Sequence, residues 1–375
     1  MNYDQLIPAW IRALGGYSAG KPIKTALRES GGTAMIKMAS NENPFGPSPR
    51  ALTAMQAAAS DVYLYPDMEV TELRTRLASL HGVPAQQVLV TAGSTQFLML
   101  LGRALLQPGL NAVTSERSFI VYPLATRATG AEFRTVPMKD DAFDLDAILA
   151  AIDENTRLVF LANPNNPTGT LFSAEATDRF LERVPAHVTV ILDEAYCDFA
   201  EFFAARQGIR YTHSMDYVRA GRNVVVLRTF SKAQGLAGIR VGYGLGPEEL
   251  LHFCNRLKTP FSVSAMAEAA AVASLDDREH VRRCVENNAA GAAFLLQSLR
   301  EMGYRPVETF ANFIYVDVGE DSTAVAKRME AEGIIIRPLK VWGAPTAIRV
   351  TIGTTEQNER FVLVLRKVME KAAVR

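Results

Sequence analysis

Cysteine is scarce in this 375-residue chain, and its three examples, Cys197, Cys254 and Cys284, are odd in number and far apart. That pattern fits neither a disulfide framework nor a zinc site, and five histidines do not add a metal-ligand set. An excess of either charge is also missing: 40 basic residues balance 40 acidic ones, with no long run of one sign. Nucleic-acid and membrane-surface binders carry such runs, so neither partner is expected and small-molecule chemistry is favoured. Long apolar stretches are absent too. The opening "MNYDQLIPAWIRALGG" has an early acid and no apolar core, unlike a secretory signal, and nothing later is long enough to cross a bilayer. A reducing cytoplasm is the expected setting. Neither an internal repeat nor a low-complexity linker divides the chain.

What is present is a large apolar fraction, 48%, sufficient for a sizeable core. Short β-branched runs alternate with helical patterns, which reads as α/β. Strands are expected at "QVLVT" (Gln87–Thr91), "RLVFLAN" (Arg157–Asn163), "VTVILDEAY" (Val188–Tyr196) and "NVVVLRTFS" (Asn223–Ser231), mostly with the continuous apolarity of central parallel strands. A helix is expected in "SAEATDRFLERV", with Ser173 as its N-cap. After about residue 255 the pattern changes to alanine-rich and charged helices, then the shorter strands "FIYVDV", "IIIRPL" and "AIRVTIG". The expected organisation is an N-terminal arm at 1–35, a large domain at 36–255 with a mainly parallel sheet between helices, and a smaller α+β domain at 256–375.

In an open parallel sheet, ligands collect at the carboxyl ends of the strands, where following helices point their N-termini at the crevice. Here those ends are unusually polar. "VFLANPNNPTG" ends in asparagines among prolines, "VILDEAY" in Asp193, Glu194 and Tyr196, and "VVVLRTFSK" in Thr229, Ser231 and Lys232. Each has a plain alternative: a stiff turn, a helix cap, a solvated lysine. Together they suit a cofactor with a phosphate, a basic ring nitrogen and an aldehyde, which describes pyridoxal phosphate. A lysine amine can form the imine. An aspartate can hold the ring nitrogen protonated, since two unit charges ~4 Å apart are worth roughly 4 kcal/mol at an effective dielectric of 20.

At these residues the sequence resembles the fold type I aminotransferases that depend on pyridoxal phosphate, and among them the histidinol-phosphate aminotransferase branch. The resemblance is carried in order by "ASNENPFGPSP", "YPD", "AGSTQ", "NPNNPTG", "DEAY", "TFSKAQGLAGIRVGY" and "IRVTIGT". It implies that Lys232 forms the imine and shuttles the proton, that Asp193 pairs with the ring nitrogen, and that Asn166 and Tyr196 contact the ring oxygen. It further implies phosphate binding by Thr229, Ser231, Arg240, Ser94 and Thr95, stacking on the ring by Tyr122, and a contact from Tyr65 to the phosphate of a neighbouring subunit, which makes the active unit a homodimer.

The same resemblance makes Arg349 the two-pronged grip on the substrate's acidic group, beside Asn166. Arg337, twelve positions earlier, and Tyr17 complete a set suited to a phosphate. Arg337 equally suits a structural ion pair. The implied reaction is transamination from histidinol phosphate to a 2-oxo acid such as 2-oxoglutarate, in histidine biosynthesis. Two rivals stand beside it: a broad aromatic aminotransferase with Trp342, Phe119 and Phe261 lining its pocket, and a decarboxylase of a phosphorylated amino acid. The stretch "AGSTQ", where an acidic "GSDE" type is common, and Gln234, where a tyrosine often stands, depart from the branch pattern.

Overall fold

In the computed structural model, which describes residues 3–16, 21, 23–29 and 34–373, the β-branched runs become strands of three sheets. In chain order these strands are β1 (Ile36–Lys37), β2 (Val88–Thr91), β3 (Asn111–Ser115), β4 (Glu132–Val136), β5 (Thr156–Ala162), β6 (Thr189–Asp193), β7 (Val224–Thr229), β8 (Gly242–Leu245), β9 (Phe313–Asp317), β10 (Ile334–Ile335), β11 (Arg337–Pro338) and β12 (Ala347–Thr351). The large sheet runs β2-β8-β7-β6-β5-β3-β4. Its pairs from β7 through β4 are parallel, and β8 lies antiparallel to both β7 and β2.

The two-residue period of a strand explains why these runs are apolar throughout. On β6 and β7, Val190, Leu192, Val224 and Val226 enter one core, while Ile191, Val225 and Leu227 enter the core on the opposite face. The helix Ser94–Leu105 covers that second face with Phe97, Leu98 and Leu101. Ser173 caps the helix Ala174–Leu181 by accepting the Ala176 N–H, as its sequence suggests. The expected strand at 188–196 is shorter: it ends at Asp193, and the helix Cys197–Arg206 begins three residues after Glu194.

A second core forms where the sheet β11-β12-β9 is covered by the helices Arg278–Glu301, Ser322–Ala331 and Thr355–Ala373. β1 pairs with β10, and Met38 enters this core. Conversely, Ala267, Ala270 and Ala271 of the helix Ala265–Leu275 pack into the core of the large sheet. We propose on this packing that the smaller unit includes 36–38 and begins, on its C-terminal side, after residue 275. Among the described residues, no helix is long and apolar enough to cross a membrane, and no group of three or more His, Cys, Asp or Glu side chains is placed to hold a metal ion.

Candidate active site

A cavity of about 300 Å³ opens at the carboxyl ends of the large sheet and is closed on its other side by the small sheet. Asp193 and Thr229 are the last residues of β6 and β7. By the two-residue period they project from the same face as Ile191 and Leu227. Past Thr229 the chain turns tightly. Leu236 N–H donates to the Phe230 carbonyl at 2.9 Å, Gly235 N–H to Lys232 at 3.0 Å, and Ser231 N–H to Thr229 Oγ1 at 3.1 Å. Gly235 has φ +71° and lies so close to the Gly46 carbonyl that a Cβ would fall 2.2 Å from it. The loop therefore requires glycine here, and it delivers Lys232 to the cavity.

The electrostatics of the two central groups are set by burial. Desolvation raises the Asp193 carboxyl to about 6, although hydrogen bonds from Tyr122 and the Ala195 N–H favour its charged form. Lys232 is pulled down to about 7, first by desolvation and then by the charges of Arg349 and Arg240, with Glu42 and Asp193 acting in the opposite sense. An amine in that range exchanges its proton near neutral pH, as a general base requires. Its Nζ lies 5.4 Å from the Tyr196 ring centroid and 3.4 Å from the Ser40 carbonyl.

One end of the cavity is an anion cradle. The helix Ser94–Leu105 begins there with no side-chain cap on its free N–H groups. Arg240 approaches the same place: a Cβ on Gly93 would fall 2.3 Å from its guanidinium, and its Nη1 donates to Ser231 Oγ at 3.3 Å. Among the described residues Arg240 makes no ion pair. Cation, hydroxyls and helix N-terminus form a donor set that fits a phosphate. With Asp193 and Lys232 in the same cavity, the residues fit pyridoxal phosphate.

The small sheet supplies the other wall. β11 and β12 are antiparallel, and their register sets Arg337 directly opposite Arg349. Like charges in that relation are destabilising, so the pair is unlike ordinary strand pairing. Both are buried and line the cavity. Arg337 lies over the Trp342 ring at 4.8 Å, and Arg349 over the Phe313 ring at 5.2 Å. Arg349 donates to Asn166 Oδ1 from Nη1 and to the Ala39 carbonyl, at 2.9 Å, from Nη2.

The cavity thus gathers Ser94, Thr95, Asn166, Asp193, Tyr196, Thr229, Ser231, Lys232, Arg240, Arg337 and Arg349. One residue expected to meet the cofactor in this chain's own cavity lies elsewhere. Tyr122 does not line the cavity: it is fully buried, its ring stacked on Phe160 at 4.6 Å, and its hydroxyl donates to Asp193 Oδ2 at 2.9 Å. Phe119, three residues earlier, just before the helix Val121–Arg127, and in edge-on contact with Tyr122, faces the cavity instead. Tyr65 is 83% exposed and stacks on Phe261 at 4.6 Å, outside its own chain's cavity. Phe261 is likewise outside the cavity, whereas Trp342 lines it. Tyr17 lies outside the described residues.

Of the residues that depart from the branch pattern, Thr95 lines the cavity, whereas Gln96 and Gln234 do not. Gln96 Oε1 accepts the Ala92 N–H at 2.8 Å and so secures the turn into the helix. Gln234 turns toward Asp198, 3.4 Å away. Ser40, Asn41 and Glu42 are cavity residues that sequence reasoning did not assign to the cofactor or substrate, and Phe119 is one it placed only in the pocket of the aromatic rival. The segment "ASNENP" held the first three in view, but only the fold brings it to Lys232 and Tyr196.

Comparison with known proteins agrees with this geometry. The family model described as aminotransferase class I and II matches residues 33–365. A histidinol-phosphate aminotransferase 2 of Pseudomonas aeruginosa is 45% identical over 361 residues, covering 96% of each chain. One from Pseudomonas fluorescens is 44% identical over 372 residues, covering 99% of each. Among solved structures, a histidinol-phosphate aminotransferase from Sinorhizobium meliloti in complex with pyridoxal-5'-phosphate superposes with a TM-score of 0.86 at 29% identity, covering 96% of this chain and 98% of that one.

Proposed function

Because the chain belongs to the aminotransferase class I and II family, we propose that it transfers the amino group of histidinol phosphate to a 2-oxo acid such as 2-oxoglutarate, with pyridoxal phosphate as its cofactor. The observation that carries the reading is the meeting, in one cavity, of Lys232 and Asp193 from the large sheet with the Arg337–Arg349 pair from the small one.

Bound there, the cofactor supplies an electron-withdrawing ring that accepts the electron pair left when the substrate carbon loses its proton. The chain's residues do the rest. Arg240, Ser231, Thr229 and the helix N-terminus at Ser94 and Thr95 would hold its phosphate, and Phe119 would lie against its ring. Asp193 would keep the ring nitrogen protonated, and Asn166 and Tyr196 would hold the ring oxygen. Lys232 moves the proton off the substrate carbon, its depressed pKa making the neutral amine accessible. Arg337 and Arg349 orient the substrate through its anionic group. Histidinol phosphate has no α-carboxylate, so in that half of the cycle both arginines serve the phosphate. In the other half they serve the carboxylates of the 2-oxo acid.

The active unit we propose is a homodimer. Val62, Tyr63, Leu64, Tyr65 and Met68 form an exposed apolar run, and a second copy covering it would bring Tyr65 to the neighbouring cavity.

The test is a half-reaction. The protein loaded with pyridoxal phosphate is mixed with histidinol phosphate, phenylalanine or tyrosine, and the loss of its visible absorbance is followed. Fast loss with histidinol phosphate and slow loss with the amino acids supports the proposal. The reverse order replaces it with an aromatic aminotransferase, a reading that Trp342 in the cavity wall favours. Release of carbon dioxide from a phosphorylated amino acid would make the protein a decarboxylase.

A further inference from the structure

Asn41 occupies a left-handed backbone conformation, φ 58°, that is costly for a residue with a side chain, and it is 99% buried. Its polar groups reach two parts of the molecule. On the small-sheet side, its N–H donates to Thr351 Oγ1 at 2.9 Å, its Oδ1 accepts from that hydroxyl at 3.3 Å, and its carbonyl accepts from Asn312 Nδ2 at 3.0 Å. On the large-sheet side, its Nδ2 donates to the Tyr196 hydroxyl at 2.9 Å. Thr351 Oγ1 already accepts the Asn41 N–H, so its own proton is available to Oδ1, an arrangement that places Nδ2 toward Tyr196. Thr351 lies two residues beyond Arg349 on β12 and so on the same face. Arg349 itself donates to the carbonyl of Ala39, two residues before Asn41. Residues 39–41 are thus held at one end by Arg349 and at the other by Thr351 and Tyr196.

We infer that Asn41 is a positioning residue that couples the arginine-bearing strand of the small sheet to the Tyr196 hydroxyl. The inference rests on the proposed reading in which Tyr196 faces the cofactor's ring oxygen. By donating to the tyrosine oxygen, the Asn41 amide leaves the phenolic proton to be directed elsewhere and strengthens it as a donor. A donor to the ring oxygen favours its anionic form, so losing Asn41 raises the pH at which the bound cofactor's visible absorbance titrates.

The experiment uses the loaded protein with Asn41→Gly, Tyr196→Phe and the double variant. Glycine keeps the left-handed backbone without strain, so the fold is retained. Expected are an upward shift of the absorbance titration in Asn41→Gly, a larger one in Tyr196→Phe, and no further shift in the double variant. Saturating succinate, which engages the arginines, moves the wild-type titration and moves that of Asn41→Gly less. An unshifted titration in Asn41→Gly, with only a lower melting temperature, overturns the inference and makes Asn41 structural. Additive shifts in the double variant overturn it too. Failure of the wild type to take up pyridoxal phosphate and develop visible absorbance overturns the functional reading itself, an outcome distinct from the others.

Discussion

On the large sheet, Asp193, Thr229 and Lys232 reach the cavity because each lies at or just past the end of a strand, whereas on the small sheet Arg337 and Arg349 reach it because two antiparallel strands set them side by side. The first arrangement is local: a strand, its last residue and the turn after it are contiguous in the chain. The second depends on register, and a slip of one residue between β11 and β12 would turn one arginine to the opposite face. The two walls are also asked for different things. The large-sheet wall carries groups whose proton affinity burial has altered, and the small-sheet wall carries two cations that stay charged at any physiological pH. In the proposed reaction, changes to the first wall fall on the chemical step and changes to the second fall on which substrate is held.

The largest effect is expected at Lys232. Lys232→Ala removes both the imine partner and the proton shuttle, and turnover should fall by roughly 10⁴-fold or more while pyridoxal phosphate still binds noncovalently. Steady-state assays and the loss of borohydride-fixed cofactor check it. Activity near wild type would break the division of labour between the walls. Asp193→Asn follows. It keeps size and a hydrogen bond but removes a charge worth about 4 kcal/mol at ~4 Å and an effective dielectric of 20, so the single-turnover rate should fall by up to ~10³-fold. Cofactor affinity should fall less. An unchanged single-turnover rate would show that Asp193 does not serve the ring.

These differences in construction explain what could be read in the chain before its structure. Lys232, Asp193, Thr229 and Ser231 were legible because a buried strand followed by polar residues is a local signal. Arg337 was legible only by its spacing to Arg349, since nothing in "IIIRPL" reveals that β11 pairs with β12. Tyr122 was assigned to the wrong surface. It and Phe119 are aromatic and three residues apart, and sequence alone does not say which faces the cavity. What distinguishes them in the structure is the hydroxyl: the fully buried Tyr122 finds an acceptor in Asp193, while phenylalanine requires none. β8 was not among the expected strands because "GYGL" carries no β-branched run. Its glycines serve packing, with Gly244 against the Phe97 ring and Gly242 against the N-terminus of the helix that begins at Ser94.

A smaller effect sharpens the role of the second wall. Arg337→Ala should weaken histidinol phosphate by about 1.5–3 kcal/mol, the range for a hydrogen bond to a charged group, or roughly 10- to 150-fold in kcat/KM. Amino acids held mainly through Arg349 should lose less. Comparing kcat/KM for the two donors decides it: equal losses would make Arg337 a structural partner of Trp342 and leave Arg349 as the substrate's grip.

The smallest effect falls behind the first wall, at Tyr122. Its own pKa is raised well above the ordinary tyrosine value by burial and then by Asp193, so it stays protonated and donates. Tyr122→Phe removes that donor without removing the ring that stacks on Phe160. The Asp193 pKa, already raised to about 6, should then rise further, because a hydrogen bond favouring the carboxylate is gone. A raised carboxyl pKa means the folded cofactor-free protein binds its proton more tightly than the unfolded chain does. Stability is therefore lost as pH rises through the interval from the ordinary value of 3.8 to about 6, and the variant extends that interval upward. Denaturation of the cofactor-free protein should show Tyr122→Phe costing more at pH 8 than at pH 5, by up to about 1.5 kcal/mol. The difference should vanish in an Asp193→Asn background, where no carboxylate remains to titrate. A pH-independent cost would mean that Tyr122 contributes packing alone, and that the proton affinity of Asp193 is set without it.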